Sequence, residues 1–247
     1  MTTTGSERAT IDLTQVRGVP ECTLTPQILD LLPAQNAPAP WRAHAKGMFW
    51  WAKPDDAAVA ALREILPPGI DPTLRPAFVA AALISYIDTP VGAYHEILAI
   101  VSLRRGRKVV SHVPFIAVDS AASVVGGRAN WALPKTLIDF EGEPASGTTM
   151  TARGADWVVT ATPHASGPPL PFASPRMNGL VQFGPGDDAW RAKSSGRGVV
   201  RLGHVDVSVA SEGSLASWLP SGRCRGVVAS SMHGWMGPSV VGAARSR

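Results

Sequence analysis

The sequence predicts an α+β domain built mostly of antiparallel strands, with a few short helices. Three observations carry that expectation. Gly (24) and Pro (22) make up about a fifth of the 247 residues and follow no fixed period, which favours many turns over long helices. Residues 76–86, 94–103 and 109–118 are apolar stretches joined by short polar links at 88–92 and 104–108, the pattern of a β-meander. No internal repeat and no second core behind a linker is visible, so one domain is the simplest account.

The elements follow in order. Residues 1–20 lack periodicity and are expected to form a flexible tail, with a single domain over 21–247. Residues 25–33 read as a short helix, with Thr25 as N-cap, Pro26 in the first turn and Pro33 as its stop. Residues 48–52 are aromatic and strand-like. Residues 54–66 make the clearest helix: Asp55 and Asp56 sit in its first turn, where the helix dipole favours them, and Val59, Leu62, Ile65 and Leu66 form one stripe. After the meander, Asp119 is expected to cap a short helix over 120–125 that Gly126 and Gly127 close. A strand is expected over 133–140 and a hairpin over 148–153 and 156–161. Residues 166–186, with five prolines, read as loop, and 199–210 and 225–230 as strands.

Composition excludes several classes. With 45% hydrophobic and 17% charged residues, the chain is too apolar to be disordered. The net charge of +4 is mild, and its densest run, Arg104, Arg105, Arg107 and Lys108 around Gly106, reads as a polar hairpin turn, so no nucleic-acid partner is expected. The longest apolar-rich stretch, 77–87, is too short to span a bilayer, and residues 1–10 do not resemble a signal peptide. Two distant cysteines, Cys22 and Cys224, suit a reducing compartment. A cytoplasmic protein without a membrane partner is expected. Nucleotide, zinc-protease, serine-hydrolase and calcium motifs are missing. His95 and Glu96 adjoin but would face opposite sides of a strand, and His164, His204 and His233 read as isolated structural histidines, so no metal is expected.

Chemistry is expected from two segments. Only five of the 23 basic residues are Lys, and Lys is the basic side chain that loses its proton readily and acts as an amine. Lys135 lies between Leu133-Pro134 and Leu137-Ile138, and apolar surroundings lower an ammonium's pKa. A neutral amine there can attack a ketone and form a Schiff base, whose iminium accepts electrons from a neighbouring bond. Gly92-Ala93-Tyr94-His95-Glu96 opens a strand on which Tyr94, Glu96 and Leu98 share one face, so Glu96 either faces a cavity or is buried at a cost. The alternatives are an ordinary strand-edge lysine and an ordinary ion-paired glutamate.

These residues resemble the acetoacetate decarboxylase family. The resemblance rests on Gly92-x-Tyr94-x-Glu96, then Gly127-Arg128, then Pro134-Lys135, in that order and spacing. It extends through the helix end at 61–67 and, faintly, to 227–233, covering about 40–235. It implies an acetoacetate decarboxylase-like β-barrel or cone. Lys135 would then be the Schiff-base nucleophile, and Glu96 the acid that positions substrate or moves a proton. No cofactor beyond that lysine is implied. Tyr94, Arg128 and Trp131 fall on the substrate side, with Arg128 framing the site, and Arg42 or Lys46 would receive the substrate carboxylate. The partner would be a small keto acid, and the assembly a homo-oligomer. The chain departs from the family pattern at Thr136, where a second lysine is usual, at Ala129, in place of a glutamate, and near Ala81 or Ala82, where a further acid falls. The function expected is a cofactor-independent carbon–carbon lyase, most simply decarboxylation of an acetoacetate-like β-keto acid. Aldolase or dehydratase chemistry through the same Schiff base, or a β-barrel that only binds a small apolar ligand, are the alternatives.

Overall fold

The computed structural model describes residues 11–242, apart from the side chains of 175–179. Its strands are β1 (Trp41–Ala52), β2 (Arg75–Asp88), β3 (Tyr94–Arg105), β4 (Lys108–Val118), β5 (Lys135–Leu137), β6 (Asp139–Glu141), β7 (Met150–Arg153), β8 (Trp157–Ala165), β9 (Leu170–Phe183), β10 (Ala189–Ser211), β11 (Gly222–Met236) and β12 (Val240–Gly242). The helices are α1 (Pro26–Leu31), α2 (Asp56–Ile65), α3 (Ala121–Trp131) and α4 (Leu215–Trp218). The α+β, mostly antiparallel architecture matches the expectation. Among the described residues, only the β4–β5 and β4–β9 pairings are parallel. No helix among the described residues is long and apolar enough to cross a membrane.

Strands β11, β1, β2, β3, β4, β9 and β10 follow one another, and β10 pairs back onto β11, so this sheet returns on itself. The C-terminal part of β10 leaves that path to pair with β8, which continues to β7 and β6. Strand alternation therefore gives β1–β4 two different apolar faces. Met48, Trp50, Leu83, Ile97 and Phe115 pack with Met150, Trp157, Val159 and Val205 in the main core. Burial of each such aliphatic or aromatic side chain stabilises the fold by roughly 1.5–3 kcal/mol. The alternate residues, Ala45, Phe49, Ile84, Leu98, Ile100 and Val113, line a cavity inside the closed sheet.

Several elements differ from the sequence expectation. The tail expected over 1–20 lies outside the described residues for 1–10, but 11–20 are anchored at two points: Val16 and Val19 are buried, and Val19 N donates to the Pro114 carbonyl at 2.9 Å. Buried Glu21, just beyond, accepts from the Leu215 backbone N–H at 3.0 Å. The segment carries too few apolar residues for its packing to show as a period. Residues 166–186 contain β9 rather than a loop. Pro171 is tolerated there because β9 pairs with β10 over its length but meets β4 only near Leu180. The strand expected over 133–140 is two, β5 on β4 and β6 on β7.

The largest difference is α3. It starts at Ser120, whose Oγ accepts from Ser123 N–H at 3.2 Å, and it runs through Gly126 and Gly127 to Trp131. Asp119 instead accepts from the His95 backbone N–H at 2.7 Å. The two glycines serve close packing rather than termination. A Cβ on Gly126 would overlap the Trp41 ring, and one on Gly127 would overlap the aliphatic stem of Lys135. The helix ends at Ala132, which takes a left-handed conformation (φ 52°), and the chain then turns through Pro134 into β5.

Substituting Gly126→Ala is expected to cost about 1–3 kcal/mol, because a packed wall has to shift. Urea unfolding followed by tryptophan fluorescence checks it; an unchanged midpoint would show that Trp41 is not seated on α3.

Candidate active site

Lys135 is the first residue of β5, and its partner in β4 is Ile116. The short strand brings it beside β3, and Gly127 leaves room for its stem. Its Nζ donates to Glu96 Oε2 at 2.7 Å, to Ser123 Oγ at 2.9 Å and, at 3.4 Å, to the Tyr94 hydroxyl. Nζ also lies 5.1 Å from the centre of the Tyr94 ring, within range of a cation–π contact. The second carboxylate oxygen of Glu96 accepts from the Tyr86 hydroxyl at 3.0 Å. Lys135 and Glu96 are each only 3% exposed, so the pair is cut off from bulk water.

That pairing reverses one expectation. Burial does disfavour the ammonium, but Glu96 and the Tyr94 hydroxyl outweigh it and hold Lys135 above the ordinary lysine range. The resting group is therefore an ammonium held by a carboxylate. A raised folded-state pKa gives stability that is fully present below the ordinary lysine value and lost only as pH rises beyond it, so the pair persists at neutral pH. Burial, with the Glu96 charge next, also pushes the Tyr86 phenol well above its usual value, which keeps it a donor to Glu96.

The pair opens onto a cavity of about 500 Å³ whose walls are mostly apolar, including Trp41, Phe49, Ile84, Leu98 and Trp131. Tyr94, Glu96, Trp131 and Lys135, all named from the sequence, line it together. Trp131 is fixed edge-on against Trp41 and donates its Nε1–H to the Gly237 carbonyl at 2.7 Å.

Three other expected site residues lie elsewhere. Arg42 and Lys46 alternate with the cavity-facing Trp41, Ala43 and Ala45, so β1 turns them to its other side. Arg42 is exposed, and Lys46 Nζ pairs with Glu143 Oε2 at 3.0 Å. Arg128 is a buried brace and does not line the cavity. Its guanidinium donates to the carbonyls of Lys135 (2.6 Å), Cys22 (2.6 Å) and Leu13 (2.7 Å), tying β5 to the N-terminal segment. Burial lowers it to about 10, so it is still a cation at neutral pH.

Ser123 and Tyr86 were not foreseen. Ser123 reaches Nζ only through the fold of α3. Tyr86 was within reach of sequence reasoning: a tight turn at 88–92 sets it opposite Tyr94, diagonal to Glu96 on the same face. The family's second lysine position, Thr136, sits buried on the side of β5 away from the cavity, 3.5 Å from the Thr23 carbonyl. Ala81 is in the main core and Ala82 packs with Ile84, so the described part of β2 brings no acid to the pair.

The histidines read as isolated are not. His233 stacks on His44 at 4.6 Å and His164 on His204 at 4.7 Å. His164, His204 and Asp206 could offer a metal three ligand atoms within 4.8 Å of one another. They do not line the cavity, and an Arg223 N–H already points at His204 Nδ1, at 3.4 Å.

Residues 55–156, which include Tyr94, Glu96, Arg128 and Lys135, match the sequence model of the acetoacetate decarboxylase family. The solved structures agree along most of the chain. The enduracididine biosynthesis enzyme MppR, in complex with pyruvate, superposes with a TM-score of 0.61 at 16% identity, over 86% of this chain and 94% of that one. The chain has the acetoacetate decarboxylase fold. An acetoacetate decarboxylase-like enzyme from Sphingomonas wittichii RW1 gives 0.60 at 14% identity, over 84% and 94% of the two chains. Acetoacetate decarboxylase from Legionella pneumophila gives 0.56 at 13% identity, over 87% and 95%. No curated protein sequence matches the chain significantly.

Because Glu96 is the largest of the groups that oppose burial at Lys135, Glu96→Gln is expected to lower the lysine's pKa, with only Tyr94 left against burial. The pH dependence of Lys135 acylation by a small anhydride, followed by peptide mass spectrometry, reads this directly. A shift upward, or none, would contradict the assigned cause.

Proposed function

We propose that the protein is a cofactor-independent lyase that forms a Schiff base between Lys135 and a keto acid and decarboxylates a β-keto acid. The observation that carries this is a buried amine, 2.7 Å from a buried carboxylate, on the wall of an apolar cavity. The family match over 55–156 supports it.

The chemistry follows from the pair. Glu96 takes a proton from the Lys135 ammonium, which frees the amine's electron pair. Inside a cavity this exchange converts two charges into two neutral groups, so exclusion of water favours it as substrate enters. Nζ adds to the ketone carbon. The resulting hydroxyl leaves as water, with the proton that Glu96 returns, and a protonated imine remains. The bond to the carboxylate carbon then breaks. Its electrons move into the iminium, carbon dioxide departs and an enamine is left. Protonation at carbon and hydrolysis release the ketone and restore the amine. The net change is one β-keto carboxylate anion and one proton converted to a ketone and carbon dioxide. Tyr86 and Ser123 keep Glu96 and Nζ aligned through these steps. Arg42, Lys46 and Arg128 have no part in binding the substrate carboxylate in this scheme.

A second reading is favoured by one observation. MppR has been solved with pyruvate and with the condensation product of pyruvate and imidazole 4-carboxaldehyde. An enamine on Lys135 could likewise attack an aldehyde in place of a proton.

Incubation with keto acids and borohydride is expected to leave a reduced adduct on Lys135, located by peptide mass spectrometry. Carbon dioxide release without added aldehyde marks the decarboxylase, and aldehyde-dependent product marks the aldolase. Lys135→Arg is expected to abolish trapping. Glu96→Gln is expected to lower kcat by roughly 10²–10⁴-fold, the usual contribution of a positioned acid–base group. An unmodified Lys135 across the panel would overturn both readings.

A further inference from the structure

The cavity is much larger than acetoacetate requires, and its shape says where the excess lies. Glu96, Leu98 and Ile100 project from the same face of β3 into it. Four residues of strand separate Glu96 from Ile100, about 13 Å at the usual rise of ~3.3 Å per residue. The opposite strand extends the wall in the same direction. Ile116 lies beside Lys135 in the β4–β5 pairing, and Val113 and Ser111 continue the lining from there. Ser111 meets Leu180 of β9, which also lines the cavity. From the reacting pair the space therefore runs along the strands, past Leu98, to an end bounded by Ile100, Val113 and Leu180. A volume of about 500 Å³ is within the range that encloses ligands of drug size rather than a four-carbon acid.

Resting on the Schiff-base reading above, we infer that the substrate is a β-keto acid whose ketone carries a medium-length apolar chain. The carbonyl sits at Lys135 and the chain lies along β3 and β4 toward Ile100. A polar extension such as a sugar or phosphate would meet the hydroxyls of Ser111, Ser174, Ser194 and Ser195 but no charged side chain among the described residues that line the cavity beyond the Lys135–Glu96 pair, and most of the wall it would lie against is apolar. Acetoacetate would bind at the reacting end and leave apolar wall uncovered. Each methylene that covers more of that wall removes apolar surface from water.

The test compares β-keto acids of four, six, eight and ten carbons on the intact protein. The value of kcat/KM is expected to rise roughly threefold to fourfold per added methylene until the chain reaches Ile100, the factor that corresponds to burying one CH₂. Ile100→Trp is expected to lower the ratio of the ten-carbon to the four-carbon value at least tenfold. Val113→Phe, on the facing strand, serves the same purpose should the first variant fold poorly. Borohydride trapping separates the two layers of the argument. Adducts at Lys135 with a flat or falling dependence on chain length would overturn the inference and leave the Schiff-base reading standing. If no acid forms an adduct, that reading falls, and calorimetry with the matching methyl ketones decides the tail site. Affinity that climbs with chain length supports the apolar tail site, and affinity that does not overturns it.

Discussion

Two opposite charges removed from water must hold each other in place, and the surroundings of Lys135 and Glu96 follow from that requirement. Leaving either charge unpaired at this depth would cost several kcal/mol. The fold meets the demand with partners from three elements. Glu96 comes from β3, Ser123 from α3 and Tyr86 from β2, and Tyr94 covers the ammonium from the side. Such a pair is weak evidence for stability, since apolar residues would fill the same space without the desolvation cost. What the pair offers is chemical: an amine and a carboxylate held 2.7 Å apart, buried in the wall of the cavity.

The scaffold around the pair is arranged to keep that distance. Gly127 lets α3 lie against the lysine stem, and Gly126 lets the same helix seat Trp41. Arg128 then holds the carbonyl of Lys135 itself, so the start of β5 is fixed from the helix and from the N-terminal segment together. Residues 126–128 thus act on one turn of chain. The glycines make room for a side chain and the arginine fixes the backbone that carries it. The strands supply the other half by alternation, with the main core on one side of β1–β4 and the cavity on the other.

Much of this was legible in the sequence, and the failures share a cause. Alternation along 94–100 is a local property, so it placed Tyr94, Glu96 and Leu98 on one face correctly. The apolar flanks of Lys135 signalled burial and the resemblance put Glu96 in the same pocket, but the direct 2.7 Å ion pair between them did not show, and the sign of the lysine's shift came out reversed. Gly126-Gly127 reads as a helix stop when only the chain is considered; Trp41 and Lys135, which explain it, are distant in sequence. Residues 11–20 and β9 were misread for the same reason. Val19 is held by Pro114, and Pro171 is tolerated by a sparsely paired edge, neither of which leaves a periodic signal. Arg42 and Lys46 were expected at the substrate from a resemblance in type. The period of two along β1, which fixes Trp41 and Ala43 inward, turns them away.

Electrostatics gives the cavity its direction. The end at Lys135 holds a carboxylate, an ammonium and two phenols, while Ile100, Val113 and Leu180 bound the other end. A ligand that presents a carbonyl at one end and hydrocarbon at the other matches that gradient. The most direct test is a crystal structure of the protein reduced with cyanoborohydride in the presence of a medium-chain β-keto acid. Continuous density from Lys135 Nζ into the ligand, with the chain along β3 and Glu96 beside the new bond, is the result expected. A ligand in the cavity with no bond to Nζ, or an adduct on another lysine, would contradict the assignment of Lys135 and Glu96 as the reacting pair.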